Sequence, residues 1–422
     1  MTPTAFTCLY LTFFALMLAF QSWLSLRNLR FVLRHRNEVP AEFRTKIELT
    51  DHQKAADYTA AKVRLSLWES ALDAVMLLVF TLGGGLFAID AFMGRELGDG
   101  YLRGLGTVFG LMLVSSLVAT PFNLYRTFGI EAKYGFNKMT LSLYLLDTLK
   151  GIALALVIGV PLLLVTFWLM QKMGDAWWLY VWLVWLGFSL AMMVIFPNFI
   201  APWFNKFSPL ADVALKQRIE ALLARCGFAS RGLFVMDGSK RSSHGNAYFT
   251  GLGKAKRIVF FDTLIESLTP TEIEAVLAHE LGHFKRRHIY KMMAVQFVLT
   301  FFVLAAMGWV IDKPWFYQGL GVPLQGTPHI AVSLTLFFLV LSVFTFWLTP
   351  VMSLFSRRHE FEADAYAAQH ADASELISAL VKMYRDNAST LTPDPLHSAV
   401  YDSHPPASIR IAHLKSLQGA PA

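Results

Sequence analysis

Apolar residues in this chain gather into seven long runs, with polar stretches between them. The runs are 3–26, 68–93, 104–125, 143–170, 176–197, 290–311 and 330–355. Crossing a hydrocarbon core of roughly 30 Å takes about 20 apolar residues as a helix, and each run is long enough. The first has no basic stretch before it, is too long for a signal-peptide core and is followed at once by Arg27 and Arg30, so it is expected to stay as a membrane helix. The pattern predicts a mostly α, polytopic fold in four parts: an N-terminal membrane region with five spans (1–197), a polar region (198–289), two further spans (290–355) and a C-terminal polar region (356–422).

Composition agrees. Of 422 residues, 55% are hydrophobic and only 16% are charged, with 35 Phe and 11 Trp. A soluble domain would carry nearer a quarter charged residues, so a soluble enzyme, a disordered chain and a collagen-like repeat are excluded. The net charge of +7 fits basic cytoplasmic loops better than nucleic-acid binding, and no nucleic-acid partner is expected. Basic residues crowd the segment after the first run, from Arg27 to Arg64, and recur after the third as Arg126, Lys133 and Lys138. The opposite side holds only Arg95, Arg103, Lys172 and Lys313. The N-terminus is therefore expected outside, with both large polar regions in the cytoplasm. Cys8 and Cys226 are too few for a disulfide framework or a cysteine zinc site, so any metal must sit on histidines and carboxylates.

Five polar residues fall inside the runs: Glu69, Asp73, Asp147, Lys150 and Gln296. Either they mark the interfacial ends of the helices, or they face a hydrated chamber open to the cytoplasm. Asp147 and Lys150, at i and i+3, could pair with each other. Gly106 and Gly110 read as a helix-packing pair.

The chemistry concentrates in one motif. Thr269-Pro-Thr-Glu272 reads as a helix start, with Thr at the N-cap, Pro at the first helical position and Glu closing a capping box. The helix then carries His279-Glu280-Leu-Gly-His283, an H-E-x-x-H sequence. The four-residue spacing stacks both imidazoles on one face, where they can share an ion, and sets Glu280 beside them to take a proton from water. Two imidazoles and a carboxylate suit zinc and suit magnesium poorly. The bland alternative is a surface helix with solvated histidines, but Val276, Leu277, Leu281 and Phe284 interleave with the motif. A metzincin extension is absent, because Arg286 and Ile289 stand where its Gly and His belong. His288 is expected to be a juxtamembrane surface residue. The third ligand must come from further along, and two membrane crossings return the chain to the same face at Ser356-Arg-Arg-His-Glu360-Phe-Glu-Ala-Asp364. Glu360 can ligate, and Asp364, one turn on, can accept from the far nitrogen of a ligating histidine. His359 and Glu362 compete for the ligand role from other helix faces, and an acidic patch paired with Arg357 and Arg358 is the plain structural alternative. Before the motif, 246–250 and 257–261 flank 251–256 as a β-hairpin. It is either plain structure or an edge that accepts substrate peptide as an added strand.

With these segments in view, the sequence resembles the type I CAAX prenyl proteases, integral-membrane zinc metallopeptidases. Arg241-Ser-Ser-His-Gly-Asn246-Ala-Tyr-Phe-Thr-Gly251 is similar to the family's substrate strand, apart from Gly245 where a serine is expected. The 356–364 segment is similar to its third-ligand segment, and Asp394-Pro-Leu-His-Ser398 with His404-Pro-Pro-Ala-Ser-Ile-Arg410 to its C-terminal signature. Glu131-Ala-Lys-Tyr-Gly-Phe-Asn-Lys138 and Pro202-Trp-Phe-Asn205 also fit. The resemblance implies seven helices around an intramembrane chamber, one Zn2+ held by His279, His283 and Glu360, and Glu280 activating water. It further implies Asp364 supporting the ligands, His404 stabilising the oxyanion, and Asn246 and Arg410 binding substrate and holding the site. The prolines after His404 would stiffen its loop.

The expected activity is zinc-dependent endopeptidase cleavage of membrane-associated peptides or proteins, with lipidated, CAAX-type chains among the candidate substrates and the lipid bilayer as the other partner. A membrane quality-control metalloprotease is the nearest alternative. A transporter or lipid-binding protein with a structural metal is the other, although a structural site would normally be closed by four protein ligands. Within the family it resembles, eukaryotic members carry a longer insert between the last two spans, so the short 312–329 loop implies a bacterial inner membrane over the endoplasmic reticulum and weighs against a prenylated physiological substrate; Gly419-Ala-Pro-Ala422 carries no retention signal.

Overall fold

The computed structural model describes residues 1–250, 255–323 and 329–418, with side chains throughout except at 255 and 256. The hairpin tip 251–254, the middle of the 312–329 loop and the C-terminal 419–422 lie outside the described residues.

Seven apolar segments lead the architecture. The first, α1, is Pro3–Arg34, with the Thr2 hydroxyl accepting from the Ala5 N–H at its start. Helix α2, Leu49–Phe80, and α3, Gly85–Leu97, are apolar enough together for a span and meet at a 56° bend. The expected continuous helix over 68–93 gives way because Gly83-Gly84-Gly85 interrupts it, with Gly84 at φ +72°, a conformation that disfavours residues with a Cβ. Helix α4, Tyr101–Leu124, runs into a π-helical turn, and α5, Leu141–Lys172, precedes α6, Trp177–Ile195, and the four-residue α7, Ala201–Phe204. Among the described residues, six helical segments are long and apolar enough to cross a membrane, or seven with the bent α2–α3 pair counted as one. Leu117, Val157 and Phe302 are each more than 60% exposed, as side chains facing lipid should be. The chain is a multi-pass membrane protein.

The polar residues within the spans find separate uses. Glu69 pairs with Arg126. Asp73, with Gln21 and Ser70, lines a cavity of about 600 Å3 between α1, α2 and later helices, and Gln296 is exposed. Asp147 and Lys150 do not pair with each other. Asp147 takes both ends of the Arg241 guanidinium at 2.8 and 3.0 Å, and the Lys150 ammonium donates to the Trp203 carbonyl at 2.7 Å. Gly106 and Gly110 do pack helices: added Cβ atoms would come within 2.8 Å of Met93 and 3.1 Å of Ile89.

Between the fifth and sixth apolar segments the chain builds a small α/β unit. It comprises β1, Phe207–Pro209; α8, Val213–Cys226; β2, Ala229–Met236; β3, Ala247–Thr250; β4, Ala255–Phe261; α9, Asp262–Ser267; and α10, Pro270–Lys285. The sheet order is β1-β2-β4-β3, with β2 and β4 parallel and the rest antiparallel. The expected hairpin is present, with Ala247 opposite Phe260 and Thr250 opposite Arg257, and β3 is an open edge. Helix α11, His288–Val310, leads to the short α12, Pro314–Gln318. Helix α13, Ile330–Thr345, continues through a tight turn into α14, Thr349–His370. Three helices close the chain: α15, Ala373–Asp386; α16, Pro395–Tyr401; and α17, Ala407–Gln418. Ile258 and Phe260 of the sheet, Leu277 and Leu281 of α10 and Leu380 of α15 share one buried core, which fixes α10 between the sheet and the C-terminal helices.

Candidate metal centre

Helix α10 starts as its sequence requires. The Thr269 hydroxyl accepts from the Glu272 N–H at 3.3 Å, and the Glu272 carboxylate accepts from the Thr269 N–H at 2.8 Å. The same carboxylate accepts from Ser378 and Lys382, each at 2.7 Å, which ties α10 to α15. His279 and His283 follow two and three turns later. Glu360 meets them from α14, the continuation of the last span.

The three side chains converge. The Nε2 atoms of His279 and His283 are 3.2 Å apart. Glu360 places Oε2 3.5 Å from the first and Oε1 3.3 Å from the second. A tetrahedral ion with bonds of about 2.0–2.1 Å separates its ligand atoms by roughly 3.3–3.4 Å, so the residues fit such an ion. Two further observations agree. Glu360 Oε2 is buried and makes no hydrogen bond, with Arg410 Nη1 and His279 Nε2 each 3.5 Å away, so its lone pairs are free to meet an ion. The tautomer of His279 is also set: its Nδ1 lies 2.8 Å from Asp364 Oδ1. A carboxylate only accepts, so Nδ1 carries a proton and Nε2 is the nitrogen that faces the centre.

Asp364 is fully buried and held in turn by Arg410, whose Nε and Nη2 reach its two oxygens at 2.9 and 2.5 Å. Arg410 Nη1 also stands 3.5 Å from Glu360. The geometry thus sets Arg410 with the ligand scaffold, although it also lines the adjoining cavity. Burial and the Arg410 charge push the His279 imidazole down, but Asp364 and Glu360 outweigh both and hold it up at about 9. Without a metal it therefore keeps a second proton, on the nitrogen that faces the other ligands.

Glu280 lines a cavity of about 340 Å3 together with His279, Asn246, Tyr384, His404 and Arg410. Asn246 is exposed at the foot of β3. The exposed His404 points Nε2 to within 3.3 Å of Glu360, and its Nδ1 meets the Ser403 hydroxyl at 2.9 Å. All eight residues expected at the site thus lie within one neighbourhood.

Sequence reasoning missed a second set of supports. His288 is buried and not a surface residue: its Nδ1 lies 3.0 Å from His283 Nδ1, and its Nε2 donates to Glu362 at 3.0 Å. His359 stacks on the His288 ring at 4.0 Å. His359 and Glu362 thus stand behind His283 and outside the His279–His283–Glu360 cluster. The strand segment before β3 has supports of its own. Arg241, besides Asp147, donates to Asn205 and to the Phe204 carbonyl, while Ser243 and Lys138 exchange backbone bonds with Phe136 and Arg241. The His244 ring stacks on Phe136 and donates to Asn387 at 3.1 Å. The 131–138 and 202–205 motifs therefore act as the cradle of this strand. A Cβ at Gly245 would press within 3.3 Å of Leu264.

Comparison with known proteins agrees with this architecture. A family model described as CAAX prenyl protease N-terminal, five membrane helices, matches residues 28–206, and one for peptidase family M48 matches 209–418. The CAAX prenyl protease 1 homolog of Oryza sativa subsp. japonica is 39% identical over 78% of this chain and 77% of its own. CAAX prenyl protease 1 of Saccharomyces cerevisiae is 35% identical over 94% of this chain and 92% of its own. The crystal structure of S. mikatae Ste24p superposes with a TM-score of 0.89 at 33% identity, covering 97% of this chain and 98% of that one. These relatives are eukaryotic and lend no support to a bacterial inner membrane over the endoplasmic reticulum. Spans, sheet and histidine–glutamate cluster occur here in one chain that the two family models match over 28–206 and 209–418, and the chain belongs to peptidase family M48, with the CAAX prenyl protease 1 proteins, as an integral-membrane metalloprotease.

Proposed function

We propose that this chain is a zinc endopeptidase that hydrolyses peptide bonds in membrane-associated substrates, C-terminally prenylated CAAX-type chains among them, on the cytoplasmic side of the bilayer. One observation carries the reading. His279, His283 and Glu360 converge while Glu280 stays outside their triangle and lines the adjacent cavity. Three ligands and a free carboxylate describe a catalytic centre, whereas a structural site is closed by four. That pattern argues against a transporter with a structural metal. Two imidazoles and one carboxylate favour zinc.

The ion, when bound, supplies Lewis acidity to the attacking water and to the scissile carbonyl. Glu280 takes the proton from that water and returns it to the leaving amine. His404, facing the same cavity, donates to the oxygen that gains negative charge. Asp364 fixes the His279 tautomer, and Arg410 holds Asp364 in place. Asn246 and the open edge of β3 receive the substrate backbone as an added strand. Residues 1–197 and 290–355 form the membrane bundle, and 198–289 and 356–422 carry the site. The basic 27–64 segment supports an N-terminus outside and a cytoplasmic site. The short 312–329 loop is the sole support for a bacterial inner membrane.

The test is cleavage of one peptide, prenylated and unprenylated, by purified protein with and without chelator, alongside metal analysis. Cleavage lost to chelator and restored by zinc, with one zinc per chain, is the expected result. Cleavage indifferent to chelator would overturn it.

A further inference from the structure

One hydrogen-bond donor in the catalytic cavity is still without a use. Asn387 caps the C-terminal end of α15, its N–H bonding back to the Met383 carbonyl at 3.0 Å. Its side-chain oxygen accepts from the Gly245 N–H at 3.3 Å and from His244 Nδ1 at 3.1 Å. A backbone N–H can only donate, so the amide end that meets Gly245 is the oxygen, and Nδ2 is turned the other way. Among the described residues Nδ2 meets no acceptor, although Asn387 lines the catalytic cavity with His279, Glu280 and Asn246. The backbone beside it is strained. Ala388 has φ +43° and is buried in one cluster with Tyr58, Ile130 and Phe136. A residue with a Cβ rarely adopts that conformation, and it persists only where the surroundings fix it. The turn brings the Ser389 N–H back to the Tyr384 carbonyl at 2.9 Å, which ends the helix with Asn387 beside Gly245.

Asn246 and Ala247 line the same cavity, and β3 runs from there to Thr250. An added strand pairs more stably antiparallel than parallel. In that direction, substrate residues before the cleaved bond lie along β3, and those after it pass Asn246 towards Gly245 and His244. Gly245, to which Asn387 is fastened, is one step of about 3.3 Å beyond Asn246. The free Nδ2 protons therefore stand where the first or second carbonyl of the leaving peptide lies. Arg410, the arginine of this cavity, is committed to Asp364 and Glu360. What Asn387 offers is thus a neutral donor, suited to a peptide carbonyl and poorly suited to a terminal carboxylate.

From this we infer that Asn387 is a substrate-binding residue, whose Nδ2 donates to a main-chain carbonyl of the peptide on the leaving side of the cleaved bond. The inference rests on the peptidase reading, in which substrate lies on the β3 edge, and adds a contact that grips the departing half. One amide does both jobs: its oxygen holds His244 and Gly245 in place, and its nitrogen holds the chain laid beside them.

Binding decides it, measured with an S-farnesyl CAAX-type peptide on the full-length protein carrying Glu280→Gln, so that turnover does not intrude. Asn387→Asp keeps an oxygen for Gly245 and His244 and loses both N–H groups. With metal content matched, it should raise the Kd about tenfold, the worth of a hydrogen bond to a partner left buried and unpaired. An (E)-alkene in place of the amide after the first or the second leaving residue removes the carbonyl instead. One of the two should cost about tenfold with Asn387 in place and about twofold or less with Asn387→Asp. An unchanged Kd in Asn387→Asp, losses that multiply at both positions, or non-additivity only at an amide before the cut would each overturn the inference. Should Asn387→Asp fail to hold metal, Asn387→Cys gives a second reading. A chloroacetyl group on the second leaving residue should alkylate that position faster than the same group two residues before the cut, and the reverse order would refute the site. Cleavage by the wild-type protein tests the peptidase reading separately: its absence would end that reading, while the Kd pattern still reports on Asn387.

Discussion

A Cβ built on Gly282 would lie 2.9 Å from the Cα of Ala363. Gly282 sits just before His283, and Ala363 just before Asp364, so this near-contact of backbones brings the histidines of α10 and Glu360 of α14 close enough together to share one ion. The neighbour that would have to yield is backbone, which cannot rotate away. Gly282→Ala should therefore push the helices apart, destabilise the protein by about 1–3 kcal/mol and weaken metal binding. Thermal unfolding with and without added zinc measures both effects, and a variant with wild-type Tm and full metal content would show that the helices slide without cost.

Glu280 is isolated from the ligand triangle, so its chemistry separates from metal retention. Glu280→Gln keeps the shape and removes the base. It should hold wild-type metal while peptide cleavage falls by roughly 10²- to 10⁴-fold, the usual worth of a positioned proton carrier. Elemental analysis beside a peptide assay reads the two quantities independently, and full activity would remove Glu280 from the mechanism.

Metal uptake should depend on pH in a defined direction. Asp364 and Glu360 raise the His279 imidazole to about 9 against the opposing effects of burial and Arg410. A raised pKa means the metal-free site binds a proton across the neutral range, and an incoming ion must expel it. Apparent affinity should then climb about tenfold per pH unit below 9 and level off above it. Chelator-competition titrations, corrected for the chelator's own protonation, give the slope. A flat profile from pH 7 to 9 would mean that this nitrogen is already bare.

The spans and the clustering of His279, His283 and Glu360 were legible because each rests on a local signal. A run of apolar residues announces a span, four-residue spacing aligns His279 with His283, and an even number of crossings returns Glu360 to their side. The capping box at Thr269 and the 247–261 hairpin are local in the same sense. What escaped depends on contacts distant in sequence. Arg241 and Asp147 lie in different elements, so a count of charges along α5 suggested the neighbouring Lys150 as partner instead. The bend between α2 and α3 was hidden because hydropathy averages over Gly83–Gly85, whereas backbone conformation does not. His288 looked like an interfacial residue because a basic stretch precedes it, although Arg287 at φ 58° turns the chain back and buries the ring against α14.

That buried ring gives the last expectation. If His283 ligates through Nε2, its Nδ1 holds a proton and donates it to His288 Nδ1, which lies 3.0 Å away. His288 must then carry its own proton on Nε2, towards Glu362 at 3.0 Å. The chain of bonds is directional, each step forcing the next, and it does for His283 what Asp364 and Arg410 do for His279. Phenylalanine at 288 keeps the flat ring that stacks on His359 but cannot accept, leaving the His283 N–H buried and unpaired. His288→Phe should speed metal loss to a chelator by about 10- to 100-fold, whereas His359→Phe, which preserves stacking and breaks no hydrogen bond in the relay, should leave that rate nearly unchanged. Stopped-flow release with a chromogenic chelator separates the two variants. Equal rates would reduce His288 to a packing residue, because stacking is then all that the two rings contribute.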